Sequence, residues 1–156
     1  MDQQHLESVE RRLTAALTAW GMASSIAGAA LALAGHRTQR RQLMRFGRQT
    51  LMWGAVDVGI ATIGALVRSR RDMLTDEDVE QQTARLVRLL LVNAAADVVY
   101  VAGGLHVIAH ARPGRGGEPE RTSFRLGRGD GWAILIQGGF LLILDTVHAL
   151  ELTRDD

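Results

Sequence analysis

The charged residues of this 156-residue chain are distributed very unevenly, and this separation constrains the fold more than any other feature. Four apolar stretches, 13–35, 49–67, 89–111 and 131–150, together hold 85 residues and three formal charges, whereas the other 71 residues hold 32. A helix needs about 20 mostly apolar residues to cross the hydrocarbon core of a bilayer. The stretches contain 23, 19, 23 and 20 residues and lack a polar stripe. They predict an all-α integral membrane bundle of four transmembrane helices, with residues 1–156 forming a single domain.

A water-soluble bundle is the alternative, and its support comes from the first stretch. Nine Ala and three Gly between Leu13 and Gly35 make a weakly hydrophobic helix that inserts reluctantly on its own. We therefore expect this helix to pack against the other spans. No small-residue cleavage pattern follows it, so we expect the first span to be retained and not removed as a signal peptide.

The connection between the first two spans, residues 36–48, is rich in arginine and interleaved with apolar residues. Such a segment is typical of chain that lies at the membrane surface and contacts anionic lipid. The predicted lipid-facing residues are Arg40, Arg41, Arg45 and Arg48, and a merely solvated loop is the alternative. Trp53 and Trp132, near the starts of their spans, are interpreted as interface anchors.

The other two connections differ from each other. Residues 75–78 (TDED) are typical of a helix start, and helical spacing of apolar residues continues from Val79 to Leu90 into the third span. This pattern predicts that the third helix projects beyond the membrane. Residues 112–130 hold five glycines and both prolines, which predicts a flexible loop.

The orientation of the bundle depends on arginine, because the chain has no lysine. Loops one (36–48) and three (112–130) lie on one side and carry ten Arg, against eight for loop two and both termini. The excess of positive charge predicts that loops one and three are cytoplasmic.

The three charges inside the spans are all carboxylates, Asp57, Asp97 and Asp145, and no span contains an Arg to pair with them. An isolated ionised carboxylate is too costly in hydrocarbon, so each must be protonated, hydrogen-bonded, hydrated or bound to a cation. Further polar residues occupy the same helix faces, namely Asn93, Gln137 and His148. At 1.5 Å per residue from the inner ends of the spans, these side chains lie at depths from about 8 Å for Gln137 to about 24 Å for His148. They are therefore spread along the bundle as a ladder and do not lie in one layer.

This ladder has three interpretations. It can be a path that binds or conducts protons or a small cation. It can equally be a set of interhelical hydrogen bonds that fasten the helices together, which are modest but common in membrane bundles. Ligand binding or catalysis is the third, although no nucleophile lies clearly beside the Asp145 and His148 pair, so an enzyme is a minor hypothesis.

Histidines raise a minor metal or haem hypothesis. His106 and His110 are four residues apart at the end of the third span, and His36 ends the first span on the same side of the membrane. Solvated or hydrogen-bonded histidines are the simpler interpretation, and no cofactor is predicted.

Small residues predict places where helices cross closely, within one chain or between chains. The candidates are Ser24 with Gly28, Gly59 with Gly64, Gly103 with Gly104, and Gly138 with Gly139. A faint repeat suggests two related helical hairpins: Trp20-Gly21 precedes Ser24, Trp53-Gly54 precedes Asp57 and Asn93-Ala94 precedes Asp97 by the same four-residue step, and the fourth copy, Gln137-Gly138 before Leu141, breaks it. Chance matching among Gly-rich helices is an equal explanation.

Three segments, WGAVD (53–57), NAAADVVY (93–100) and IQGGFLLILD (136–145) with His148, resemble a family of small uncharacterised bacterial four-helix membrane proteins. The resemblance covers spans two to four. It implies a bacterial inner membrane protein and directs attention to the same Asp, Asn, Gln and His positions. It brings no activity with it.

The leading hypothesis is therefore a small integral membrane protein whose intramembrane carboxylates bind or conduct protons or a small cation. The alternative is a membrane scaffold or accessory subunit of a larger complex. The expected partners are the lipid bilayer and either further copies of the chain, as a homo-oligomer, or another membrane protein. A net charge of +1 gives no support to nucleic-acid binding.

Overall fold

A computed structural model describes residues 3–71, 75–111 and 126–154, and within them the chain forms four α-helices. Helix α1 spans Gln3–Arg37, α2 Arg41–Ser69, α3 Asp76–His110 and α4 Arg128–Arg154. Each helix is long and apolar enough to cross a membrane. At 1.5 Å per residue even α4, with 27 residues, is about 40 Å long, so every helix exceeds a hydrocarbon core of about 30 Å. The prediction of an all-α bundle of four spans is confirmed.

The helix ends agree with the sequence at α3 and differ at α4. The Thr75 hydroxyl accepts a hydrogen bond from the Asp78 amide at 3.2 Å, and the Thr75 amide donates to the Asp78 carboxylate at 3.2 Å. This capping box starts α3 where the sequence predicted. Helix α4, by contrast, begins at Arg128, inside the segment predicted to be a flexible loop. Residues 112–125 of that segment lie outside the described residues.

The helices pack as two hairpins. Helix α1 lies along α2, α3 lies along α4, and the contact between α2 and α4 joins the pairs. Helix α4 is consequently the most buried of the four. This arrangement is the one that the faint sequence repeat suggested.

Close backbone contact between glycines joins α1 to α2. Gly21 and Gly28 of α1 face Gly54 and Gly47 of α2, and Gly35 faces Met44; we call this contact the glycine seam. A Cβ atom on Gly28 would lie 2.7 Å from the carbonyl oxygen of Gly47, and one on Gly21 would lie 2.8 Å from that of Gly54. The seven-residue spacing is that of left-handed helix pairs, in which one face stays against its partner over many turns.

The predicted crossing points divide into two groups within this chain. Gly28, Gly104 and Gly138 do contact neighbouring helices. A side chain at any of the other four predicted glycines would meet nothing within 4 Å among the described residues; these are Gly59, Gly64, Gly103 and Gly139. The physical reason is that a hairpin places only one seventh-residue row of each helix in contact, and these four glycines lie off that row.

A second kind of packing closes the end of the bundle that carries both termini. The apolar cluster here, which we call the terminal cap, consists of Leu6, Val9, Val79, Leu90, Ala149 and Leu152. Ion pairs surround it: Arg71 forms two hydrogen bonds to Glu10 at 3.0 and 3.1 Å, and Arg12 pairs with Glu151. Large buried side chains with charged groups around them are typical of packing in water.

The outer surface between the helix ends is apolar. Ile26, Val99 and Ile143 expose 69%, 71% and 67% of their side chains, and many other large apolar residues are also exposed. So extensive an apolar surface is unstable in water and matches a hydrocarbon surrounding. The structure thus favours the membrane bundle over the water-soluble one.

Candidate functional site

Three helices meet at a chain of hydrogen-bonded side chains. The indole Nε1 of Trp20 in α1 donates to Gln137 Oε1 in α4 at 2.9 Å, and Gln137 Nε2 donates to Asp57 Oδ2 in α2 at 2.5 Å. Because an indole N–H can only donate, it fixes the Gln137 amide with its oxygen toward Trp20 and its nitrogen toward Asp57. Asp57 is 1% exposed, so this bond links two fully buried groups.

Asp97 of α3 lies next to this chain but does not join it. Its side chain is buried, and its Oδ2 atom has no hydrogen-bond partner among residues 3–71, 75–111 and 126–154. A cavity of about 10 Å³ adjoins it, lined also by Trp53, Tyr100 and Gln137. Buried polar atoms without a partner are rare and costly, so Asp97 stands out from the other polar residues.

The third carboxylate continues the arrangement along α4. Asp145 is buried and hydrogen-bonded to Asn93, whose side chain is exposed on α3. Asp97 interacts electrostatically with both Asp57 and Asp145. Asp57, Asp97 and Asp145 therefore form one cluster, drawn from three different helices, with Asp97 in the middle.

His148 lies one turn beyond Asp145 and is also buried. Its Nδ1 atom is 2.8 Å from the carbonyl oxygen of Leu144. A carbonyl can only accept, so Nδ1 carries the proton, and a neutral His148 ring then offers Nε2 as an acceptor.

The weak metal candidates are not gathered into a site. His106 and His110 stack with ring centroids 4.2 Å apart, and His110 Nδ1 contacts the His106 carbonyl oxygen at 2.9 Å. His36, like both of them, is exposed. In the described part of the chain, no three His, Asp or Glu side chains are placed to hold a metal ion together.

The four predicted lipid-facing arginines have different surroundings. Arg45 is part-buried and pairs with Asp130 at 3.2 Å, so it joins α2 to the start of α4. Arg40 and Arg41 line a cleft beside α4, and Arg48 is exposed outside it.

Trp20 is a site residue that the sequence interpretation missed. Its ring stacks on Phe140 with centroids 4.1 Å apart, which holds the indole N–H toward Gln137. Its place in the Trp-Gly repeat was the available signal, because Trp53 occupies the matching position. Trp53, interpreted as an interface anchor, packs edge-on against Tyr100 and lines the Asp97 cavity.

Comparison with known proteins identifies a relationship but not an activity. A family model described as a family of unknown function (DUF6992) matches residues 16–146. The chain belongs to this family. The DUF6992 match includes Trp20, Gln137 and the carboxylates Asp57, Asp97 and Asp145, and it ends just before His148. No curated protein and no solved structure matches the chain.

Proposed function

We propose that this DUF6992 protein binds and releases a proton at Asp97, in the interior of a membrane-spanning helix bundle. The observation that carries the proposal is the Asp97 Oδ2 atom, which is buried without a partner among the described residues and adjoins a cavity. A protonated carboxyl can donate a hydrogen bond, whereas an ionised one can only accept. Because Asp97 Oδ2 has no partner among the described residues, a proton can bind to it or leave it without breaking a hydrogen bond to them.

The neighbouring groups support transfer as well as binding. Asp57 and Asp145 interact electrostatically with Asp97 from either side, and each is hydrogen-bonded to an amide side chain. Three carboxylates with no cation beside them among the described residues are too costly to keep ionised together in hydrocarbon. A proton held by this cluster has three sites to occupy, with His148 one turn farther along α4.

The cavity favours a proton over a hydrated cation. A volume of about 10 Å³ is the smallest that holds one water molecule, whereas a cation with its water shell requires several times more space. A water at this position would give Asp97 Oδ2 a partner and would carry a proton to or from it.

Infrared difference spectroscopy of the full chain in lipid nanodiscs tests the proposal. We expect a pH jump to produce carbonyl bands from protonated carboxyl groups, and we expect Asp97→Asn to remove one of these bands. Asp78→Asn, which removes an exposed carboxyl at the start of α3, is the matched control and should leave the band unchanged. If every band persists in Asp97→Asn, the proposal is contradicted. If one band is lost, proton uptake by proteoliposomes shows whether the bound proton also crosses the bilayer.

A scaffold or accessory subunit is the second candidate, and the Trp20–Gln137–Asp57 chain favours it. These hydrogen bonds tie α1, α4 and α2 together, which is the arrangement expected of interhelical fastening. If fastening is the whole role of the polar residues, Gln137→Leu should destabilise the bundle and Asp97→Asn should affect neither protonation nor stability.

The oligomeric state helps to distinguish proton binding from the role of an accessory subunit. A chain of 17.0 kDa is small for a complete transporter, and we propose that it works as a homo-oligomer. Native mass spectrometry after extraction in mild detergent tests this. A defined oligomer of this chain supports the proton-binding proposal, whereas stoichiometric recovery with a different membrane protein supports the accessory subunit.

A further inference from the structure

A cleft of about 980 Å³ opens at the end of the bundle opposite the terminal cap. It lies between the start of α2, the end of α3 and the start of α4, and we call it the basic cleft. Its lining residues include Arg40, Arg41, Phe46, Arg128, Trp132 and Ile136. Its volume is within the usual range for ligand sites.

The charged part of the cleft is suited to an anion. Arg40, Arg41 and Arg128 are exposed, and none of the described residues that line the cleft is acidic. Arg128 Nε donates to the Ile108 carbonyl oxygen at 3.2 Å, which anchors the guanidinium and leaves its two terminal NH₂ groups for a ligand. Helices α2 and α4 both begin here, so their positive ends add to the field of the arginines.

The rest of the cleft is apolar and continues toward the outer surface of the bundle. Trp132 exposes 50% of its side chain and Ile136, one turn along α4, exposes 45%. Phe46 lies on the α2 side. Cationic side chains next to exposed apolar ones, close to the predicted membrane boundary, match a ligand that has an anionic head and a hydrocarbon chain.

We propose that the basic cleft binds one anionic phospholipid, with its phosphate at Arg40, Arg41 and Arg128 and an acyl chain along Phe46, Trp132 and Ile136. The other available occupant is the chain segment 112–125, which connects α3 to α4. That segment carries four Arg and two Glu, so its own charge opposes entry into a cluster of arginines. Charge complementarity therefore favours the anionic lipid.

Lipid titration followed by native mass spectrometry tests this proposal on the delipidated full-length protein. We expect the first phosphatidylglycerol to bind at least tenfold more tightly than the first phosphatidylcholine. The variant Arg40→Gln/Arg41→Gln should weaken phosphatidylglycerol binding about 10- to 30-fold, since each arginine near an anionic lipid contributes about 1 kcal/mol. The matched control Arg37→Gln/Arg48→Gln removes two exposed arginines of the same end from outside the cleft and should change the affinity less than twofold.

Two results would overturn the proposal. One is an equal loss of affinity in both double variants, which would mean that general surface charge attracts the lipid. The other is displacement of phosphatidylglycerol by inorganic phosphate at equal concentration, which would mean that the cleft recognises phosphate alone. We expect each variant to melt at the temperature of the parent protein, because all four side chains are exposed, and this result establishes that the variant is folded.

Discussion

Helix α1 packs in two different ways along its length. At the terminal cap it buries large side chains, with Leu6 and Val9 both 0% exposed. Farther along, at the glycine seam, Gly21 and Gly28 place no side chain of their own at the contact and allow the backbone of α1 to touch that of α2. Large buried side chains therefore hold the terminal cap together, whereas the glycine seam depends on the lack of side chains at its glycines.

The difference follows from what surrounds each region. Outside the hydrocarbon layer, burying leucine removes apolar surface from water, and this is the dominant stabilising contribution. Inside the layer, lipid chains are as apolar as leucine, so helices associate through close van der Waals contact and hydrogen bonds instead. The glycine seam and the Trp20–Gln137–Asp57 chain supply those two contributions.

The largest expected effect is loss of volume in the cap. Leu6→Ala should lower the free energy of unfolding by about 2–5 kcal/mol, because it removes a fully buried side chain and leaves a cavity. Unfolding in mixed detergent micelles, followed by circular dichroism, measures this change. Ile26→Ala is the control in the same helix. Its side chain is 69% exposed toward the hydrocarbon, so its effect should stay below about 0.5 kcal/mol.

If Leu6→Ala and Ile26→Ala lowered the free energy of unfolding equally, the contrast between the two regions of α1 would be wrong. Ile26 would then have to be packed against protein and not against lipid.

Gain of volume in the seam should have the next largest effect. Gly28→Ala places a Cβ atom 2.7 Å from the Gly47 carbonyl oxygen, so the two backbones must move apart. We expect a loss of about 1–3 kcal/mol by the same measurement. Gly59→Ala is the control, because a Cβ atom there meets nothing within 4 Å among the described residues. It should be neutral or stabilising by up to about 1 kcal/mol, the helix propensity gained by alanine over glycine.

The seam would not depend on close backbone contact if Gly28→Ala were as well tolerated as Gly59→Ala.

Much of the fold follows from the sequence, and the reason is visible in particular residues. Helices α1 to α4 are predictable because a span must satisfy its backbone internally and be apolar over about 20 residues, which are both local properties. The start of α3 is predictable because Thr75 and Asp78 form the cap between themselves. The glycine seam was missed although its seven-residue spacing is in the sequence, because Gly28 was paired with Ser24 and not with Gly21 and Gly35.

The site was less predictable. That Asp57, Asp97 and Asp145 need partners follows from hydrocarbon solvation, but which partner each finds depends on how the helices are rotated about their axes. Gln137 bonds to Asp57 and not to Asp145 on its own helix, and Asn93 bonds to Asp145 and not to Asp97 one turn away. These non-local pairings leave Asp97 Oδ2 without a partner among the described residues, because both amide side chains near it already bond to other carboxylates.

The smallest effect concerns the cap end of α3, where the helix begins in water. Hydrogen bonds from Thr75, first from its hydroxyl and then from its amide, hold the pKa of Asp78 below its ordinary value. A carboxyl whose pKa is lower in the folded protein contributes stability above its unfolded pKa, and that contribution is lost as the pH falls through the folded value. Thr75→Ala should return the pKa of Asp78 toward its ordinary value and increase amide hydrogen exchange in the first turn of α3, whereas Thr75→Ser should do neither. An NMR titration of the Asp78 carboxyl carbon measures the shift. An unchanged titration in Thr75→Ala would mean that the capping box does not form in solution, and the start of α3 would then depend on the burial of Val79 in the terminal cap alone.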